Sequence, residues 1–134
     1  MMELSPISKS EAARYMGVKG APTELISEML DRCEKLVRER VRPKYVYLET
    51  SVEFTDDGVI IGAMNEPLTG NDIRRHLKGC TRAVLLAATL SQEADKLIRQ
   101  TAVTDMAESL AIDCLCSAAV EQVCNRAEEE IFSR

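Results

Sequence analysis

Apolar residues recur along this 134-residue chain with two different periods, and each change of period marks a new element. A short helix is predicted over 8–17, with Ser8 or Ser10 as its cap and Gly17 after its last turn. Over 23–41 the positions Leu25, Ile26, Met29, Leu30, Cys33, Leu36 and Val37 form a one-sided helical stripe that Thr23 caps and Pro43 stops. The period then falls to two over 45–54. Val46, Leu48, Thr50, Val52 and Phe54 take one side and Tyr45, Tyr47, Glu49, Ser51 and Glu53 the other, as in a half-buried strand. Asp57-Gly58 turns the chain into a second arm over 59–64. A short helix capped by Asn71 or Asp72 follows, ended by Gly79. The run 82–89 is mostly apolar without alternation, which predicts a central strand covered on both faces. Ser91 should cap a helix to about 99, and the β-branched cluster Thr101, Val103 and Thr104 predicts a break there, with Thr104 capping a last long helix. The sum is an α+β fold: a small antiparallel or mixed sheet packed with helices, one of them long and central near the C-terminus, in a single domain over 1–134.

That last helix carries a polar residue at every fourth position: Asp105, Ser109, Asp113, Ser117, Glu121 and Asn125. The residues between them are nearly all apolar or small, and such a helix is expected to be buried. The polar line winds by roughly 40° per step, so about three consecutive members share a face. Asp113, Ser117 and Glu121 are the central three. A buried carboxylate costs several kcal/mol unless it is paired or faces a ligand, which makes this line the candidate site. The structural alternatives are an internal arginine partner or an edge position for Glu121, a tertiary cap for Asp113, and a plain helix-start acid for Asp105.

The composition of 46% apolar and 29% charged residues suits one globular domain. A net charge of -5 spread along the sequence argues against nucleic acid as the main partner. There is neither a leader pattern in the first ten residues nor an apolar run of about 18, so no membrane association is expected and the cytoplasm is the expected compartment. Five cysteines (Cys33, Cys80, Cys114, Cys116 and Cys124) include no CxxC pair, and His76 is the single histidine. Reduced core thiols are the expectation, with no metal centre. The cations Lys35, Arg38, Arg40, Arg42 and Lys44 suit a solvated helix face and a helix C-terminus, and Arg74-Arg75-His76 suits a solvated face. No GxSxG, P-loop, GxGxxG or HExxH occurs, and no catalytic residue is assigned.

Three blocks, taken in order, resemble a known family: Glu11-Ala-Ala-Arg-Tyr-Met-Gly-Val-Lys-Gly20, then Arg74-Arg-His-Leu-Lys-Gly-Cys-Thr-Arg-Ala-Val-Leu-Leu-Ala-Ala-Thr-Leu90, then Thr104-Asp-Met-Ala with Ser117-Ala-Ala-Val-Glu-Gln-Val-Cys124. They are similar to the activation domain of vitamin B12-dependent methionine synthase, and more closely to its small stand-alone bacterial homologues. The resemblance covers nearly the whole chain. It implies a module that binds S-adenosylmethionine and offers its methyl group to cobalamin held by a partner methyltransferase or corrinoid protein, with an electron from a flavodoxin-like reductant. Glu121 matches the family's helix carboxylate that contacts S-adenosylmethionine; Ser117 and Asp113 join it as expected ligand-binding residues because they share its face. The family's ligand loop, an arginine followed by Gly-Tyr, and the second half of its sheet have no counterpart before Arg134. The chain is therefore expected to lack the family's C-terminal part and to expose apolar surface, through which it meets a partner or a second copy. The alternative is a non-catalytic interaction or scaffold domain that keeps the fold without the ligand.

Overall fold

Side-chain caps fix where three of the helices begin. In the computed structural model, which describes residues 2–133, Ser8 Oγ accepts from the Glu11 N–H at 3.2 Å and opens α1 (Lys9–Tyr15). Thr23 Oγ1 accepts from the Ile26 N–H at 3.3 Å and opens α2 (Glu24–Arg40). Strands β1 (Lys44–Phe54) and β2 (Val59–Ile61), helix α3 (Asn71–His76), strand β3 (Arg82–Thr89) and helices α4 (Gln92–Thr104) and α5 (Met106–Phe132) follow. The chain is of the α+β class, with the long C-terminal helix that the periodicity predicts. It divides into two units: one joins the residues up to Tyr45 with those from Ala88 onward, and the other is Val46–Ala87.

The first unit is helical. Helix α5 packs against α1, α2 and α4. The small residues Ala111, Ala118, Ala119 and Ala127 are buried on it and let the neighbouring helices come close. Leu30 and Val37 of α2 and Ile112, Leu115 and Val123 of α5 are the largest fully buried side chains here. Each contributes about 1.5–3 kcal/mol by leaving water. Leu25, expected in the apolar stripe of α2, is instead exposed in the first turn.

The break before α5 lies elsewhere than the β-branched cluster suggests. Thr101 Oγ1 donates to the Leu97 carbonyl at 2.8 Å and Thr104 Oγ1 to the Thr101 carbonyl at 3.2 Å, so both threonines stay within α4. Asp105 is the joint. Its N–H donates to Thr101 O at 2.8 Å and ends α4, while its Oδ1 accepts from the Glu108 N–H at 3.1 Å and starts α5. Ser91 sits at the start of α4 without capping it through its side chain: its φ is 71° and its hydroxyl donates to the Arg42 carbonyl.

The second unit holds a three-stranded antiparallel sheet in the order β2-β1-β3. Val52 of β1 faces Ile61 of β2, and Phe54 faces Val59 across the turn. Thr55 Oγ1 accepts from the Gly58 N–H at 3.1 Å and closes that turn. A side chain at Gly58 would collide with the Leu68 carbonyl, which accepts from the Val59 N–H at 2.9 Å. The second arm is shorter than the predicted 59–64 because Gly62, at φ 59°, turns the chain away after Ile61. The cap of α3 also differs: Gly70 occupies the cap position, and Asp72 pairs with Arg75 at 2.7 Å. Val59, Ile61 and Leu77 form the small core of this unit, with Val52, Leu68, Ile73 and Ala83 against it.

Two expectations for the strands are corrected. The alternation in β1 slips phase at Leu48–Glu49: Tyr45 and Tyr47 are half-buried before it, Thr50 and Val52 after it, so the sides do not run unbroken as the sequence suggests. Strand β3 is an edge and not a central strand. Its neighbours Val84 and Leu85 point to opposite faces and are 38% and 46% exposed, so neither face is fully covered.

Candidate functional site

The expected polar line of α5 is present as geometry but differs in environment. Three helices cover α5, and the side left over holds Asp113, Ser117 and Glu121, all exposed. They stand one turn apart, spanning about 12 Å along the axis. The buried seam that apolar composition suggests is therefore a solvent-facing stripe, because a helix flanked on three sides needs apolar residues over most of its girth and still has one open face. Met106 and Leu110 continue that stripe toward the N-terminal end and Phe132 lies exposed at the other end.

Each member of the line has its own surroundings. Asp105 is the joint already described. Ser109 is the one buried member, and its hydroxyl donates to the Ile98 carbonyl at 2.9 Å, tying α5 to α4. Ser117 donates to the carbonyl of Asp113 at 3.2 Å, so it offers a ligand only its lone pairs. Among the described residues, neither the Asp113 nor the Glu121 carboxylate has a hydrogen-bond or ion-pair partner, which sets aside the internal arginine and the tertiary cap. Asn125, one turn beyond Glu121, lines a surface cavity of about 540 Å³ with Gln122, Arg126, Glu129 and the N-terminal segment. Glu121 does not contribute to it. Gln122 holds that N-terminal segment, accepting from the Ser5 N–H at 3.1 Å and donating to the Ser5 and Pro6 carbonyls at 3.0 Å.

The acid that is buried is one the periodicity did not single out. Glu34 of α2 is 7% exposed; it accepts from Arg38 Nε at 2.6 Å and from the Ile7 N–H at 3.1 Å. Its signal in the sequence is the i,i+4 spacing of Glu34 and Arg38 on an otherwise apolar face. Its two partners satisfy it, so its role is to anchor the N-terminal segment on α2. A cavity of about 450 Å³ lies nearby, lined by Met2, Leu4, Lys35, Arg38, Arg42 and others. The cations expected at the end of α2 behave as such: Arg42 donates to the carbonyls of Glu39 and Val41, and Arg40 to the side chain of Gln100.

Thiol chemistry does not centre on α5. Cys33, Cys114 and Cys116 are buried and free. Burial pushes the Cys116 thiol up to about 12, with smaller contributions from Asp113 and Asp95. Burial also raises Cys33 and Cys114. Cys80 is exposed, unlike the buried set expected. Among the described residues no group of three His, Cys, Asp or Glu side chains could hold a metal ion, and no helix is long and apolar enough to cross a membrane. No protein-family model matches this chain, and no curated protein matches it.

Proposed function

We propose that the chain is a cytoplasmic S-adenosylmethionine-binding module serving the reductive reactivation of a cobalamin-dependent methyltransferase or corrinoid protein, with Glu121, Ser117 and Asp113 on its ligand face. The observation that carries the reading is the pair of unpartnered carboxylates flanking a small residue on the open side of α5, one of which, Glu121, stands where the resemblance to the methionine synthase activation domain expects ligand contact. S-adenosylmethionine would supply the methyl group to cobalamin held by the partner, with a flavodoxin-like reductant as electron source.

The three residues fit the cationic end of such a ligand. Glu121 accepts from the α-amino group, Asp113 adds negative potential two turns away, and Ser117 leaves room between them. They do not enclose the rest of it. An ion pair in open water is worth about 1 kcal/mol at most, so firm binding requires a surface that closes over the stripe and removes water. The corrinoid partner is the natural source of that surface.

Calorimetric titration of the chain with S-adenosylmethionine tests the proposal. A weak saturable heat is expected, reduced about fivefold in affinity by Glu121→Gln, which corresponds to about 1 kcal/mol. Absence of any saturable heat from the native chain overturns it. The reading then left is a non-catalytic interaction domain, which the exposed Met106, Leu110 and Phe132 on α5 favour independently.

A further inference from the structure

The geometry points to a second site, unrelated to the ligand face: we propose that the free edge of β3 is where two copies of this chain pair, strand against strand. Strand β3 has a neighbour only on its β1 side, and among the described residues no hydrogen bond joins its outer side to anything. Alternate residues along this eight-residue edge therefore present backbone N–H and C=O groups outward. Edges that stay single are protected by charge, proline or extreme shortness, and past its first residue, Arg82, β3 has none of these. From Ala83 to Thr89 it carries no charge and no proline.

Charge selects the occupant. A strand of either sign would find nothing on β3 to read, so the complement of this edge is an uncharged, apolar strand. Within the chain, β3 is itself such a strand, whereas β1 carries Lys44, Glu49 and Glu53 and β2 is only three residues long. The single charge on β3, Arg82, is already bonded to Glu49 at 2.7 Å, so antiparallel pairing about a two-fold axis sets no bare like charges against each other. In a chain of net charge -5, two copies repel over most of their surface, and this neutral edge is where they can approach. Pairing joins two three-stranded sheets into one of six strands in the order β2-β1-β3-β3-β1-β2. It also sets the partner's side chains beside the exposed Val84 and Leu85.

Sedimentation velocity of the native chain over a wide concentration series should show a monomer–dimer equilibrium. Leu85→Lys, which puts a charge on an exposed position of the edge, should weaken the dimer at least tenfold while leaving the far-ultraviolet circular dichroism unchanged. Amide hydrogen exchange provides a readout on the native chain that needs no variant: protection of 82–89 should rise with protein concentration. A native chain that stays monomeric throughout, a dimer indifferent to Leu85→Lys in a folded variant, or exchange over 82–89 independent of concentration would each overturn the proposal.

Discussion

A carboxylate and a thiol less than one turn of helix apart show how strongly environment governs chemistry here. Asp113 and Cys116 both lie on α5, yet the acid is exposed and the thiol is buried. The thiol's ordinary value is 9.0, and burial raises it to about 12 in the folded chain. The unfolded chain loses that proton above about pH 9 while the folded chain keeps it, so the stabilisation is complete below pH 9 and drains away as the pH rises toward about 12. Cys33 and Cys114 shift in the same direction and add to the effect. Urea unfolding midpoints should therefore fall between about pH 8 and about pH 10, with a slope approaching 1.4 kcal/mol per pH unit for each thiol released, and Cys116→Ala should make the fall shallower. Equal midpoints across that range would show that these thiols titrate alike in both states.

Among the elements, the joint between α4 and α5 shows local and tertiary preferences in competition. β-branched residues disfavour helix, but the hydroxyls of Thr101 and Thr104 bond to carbonyls of their own helix and α4 continues to Thr104. The stop comes at Asp105, whose extended backbone (φ -156°, ψ 103°) and side chain belong to the start of the next helix. Asp105→Ala should cost about 1 kcal/mol in urea unfolding, the ordinary worth of a side-chain cap, whereas Thr104→Ala should cost less than half of that. The reverse ranking would restore Thr104 as the cap. Strand β3 shows a related limit of sequence reading. A mostly apolar run looks the same whether a strand lies at the centre or the edge of a sheet, since the distinction depends on which strands pair beside it.

At the scale of the whole molecule, the two units differ in the size of their cores. The helical unit buries residues from α1, α2, α4 and α5, while the sheet unit buries only Val59, Ile61 and Leu77 fully. Less buried apolar surface means lower free energies of local opening. Amides over 46–87 should therefore exchange faster than those of the buried face of α5 at low protein concentration, and equal protection in both would mean that the chain opens as one cooperative body. By itself the sequence determined the α+β class, the cap at Thr23, a serine cap at Ser8 or Ser10, the Asp-Gly turn and the long last helix, because periodicity and capping are properties of neighbouring residues. It also placed Asp113, Ser117 and Glu121 on one face, for the same local reason. Only the tertiary structure decided that this face looks outward, that Glu34 is the buried acid and that β3 is an edge, since each depends on which distant segment packs alongside and which side it leaves open.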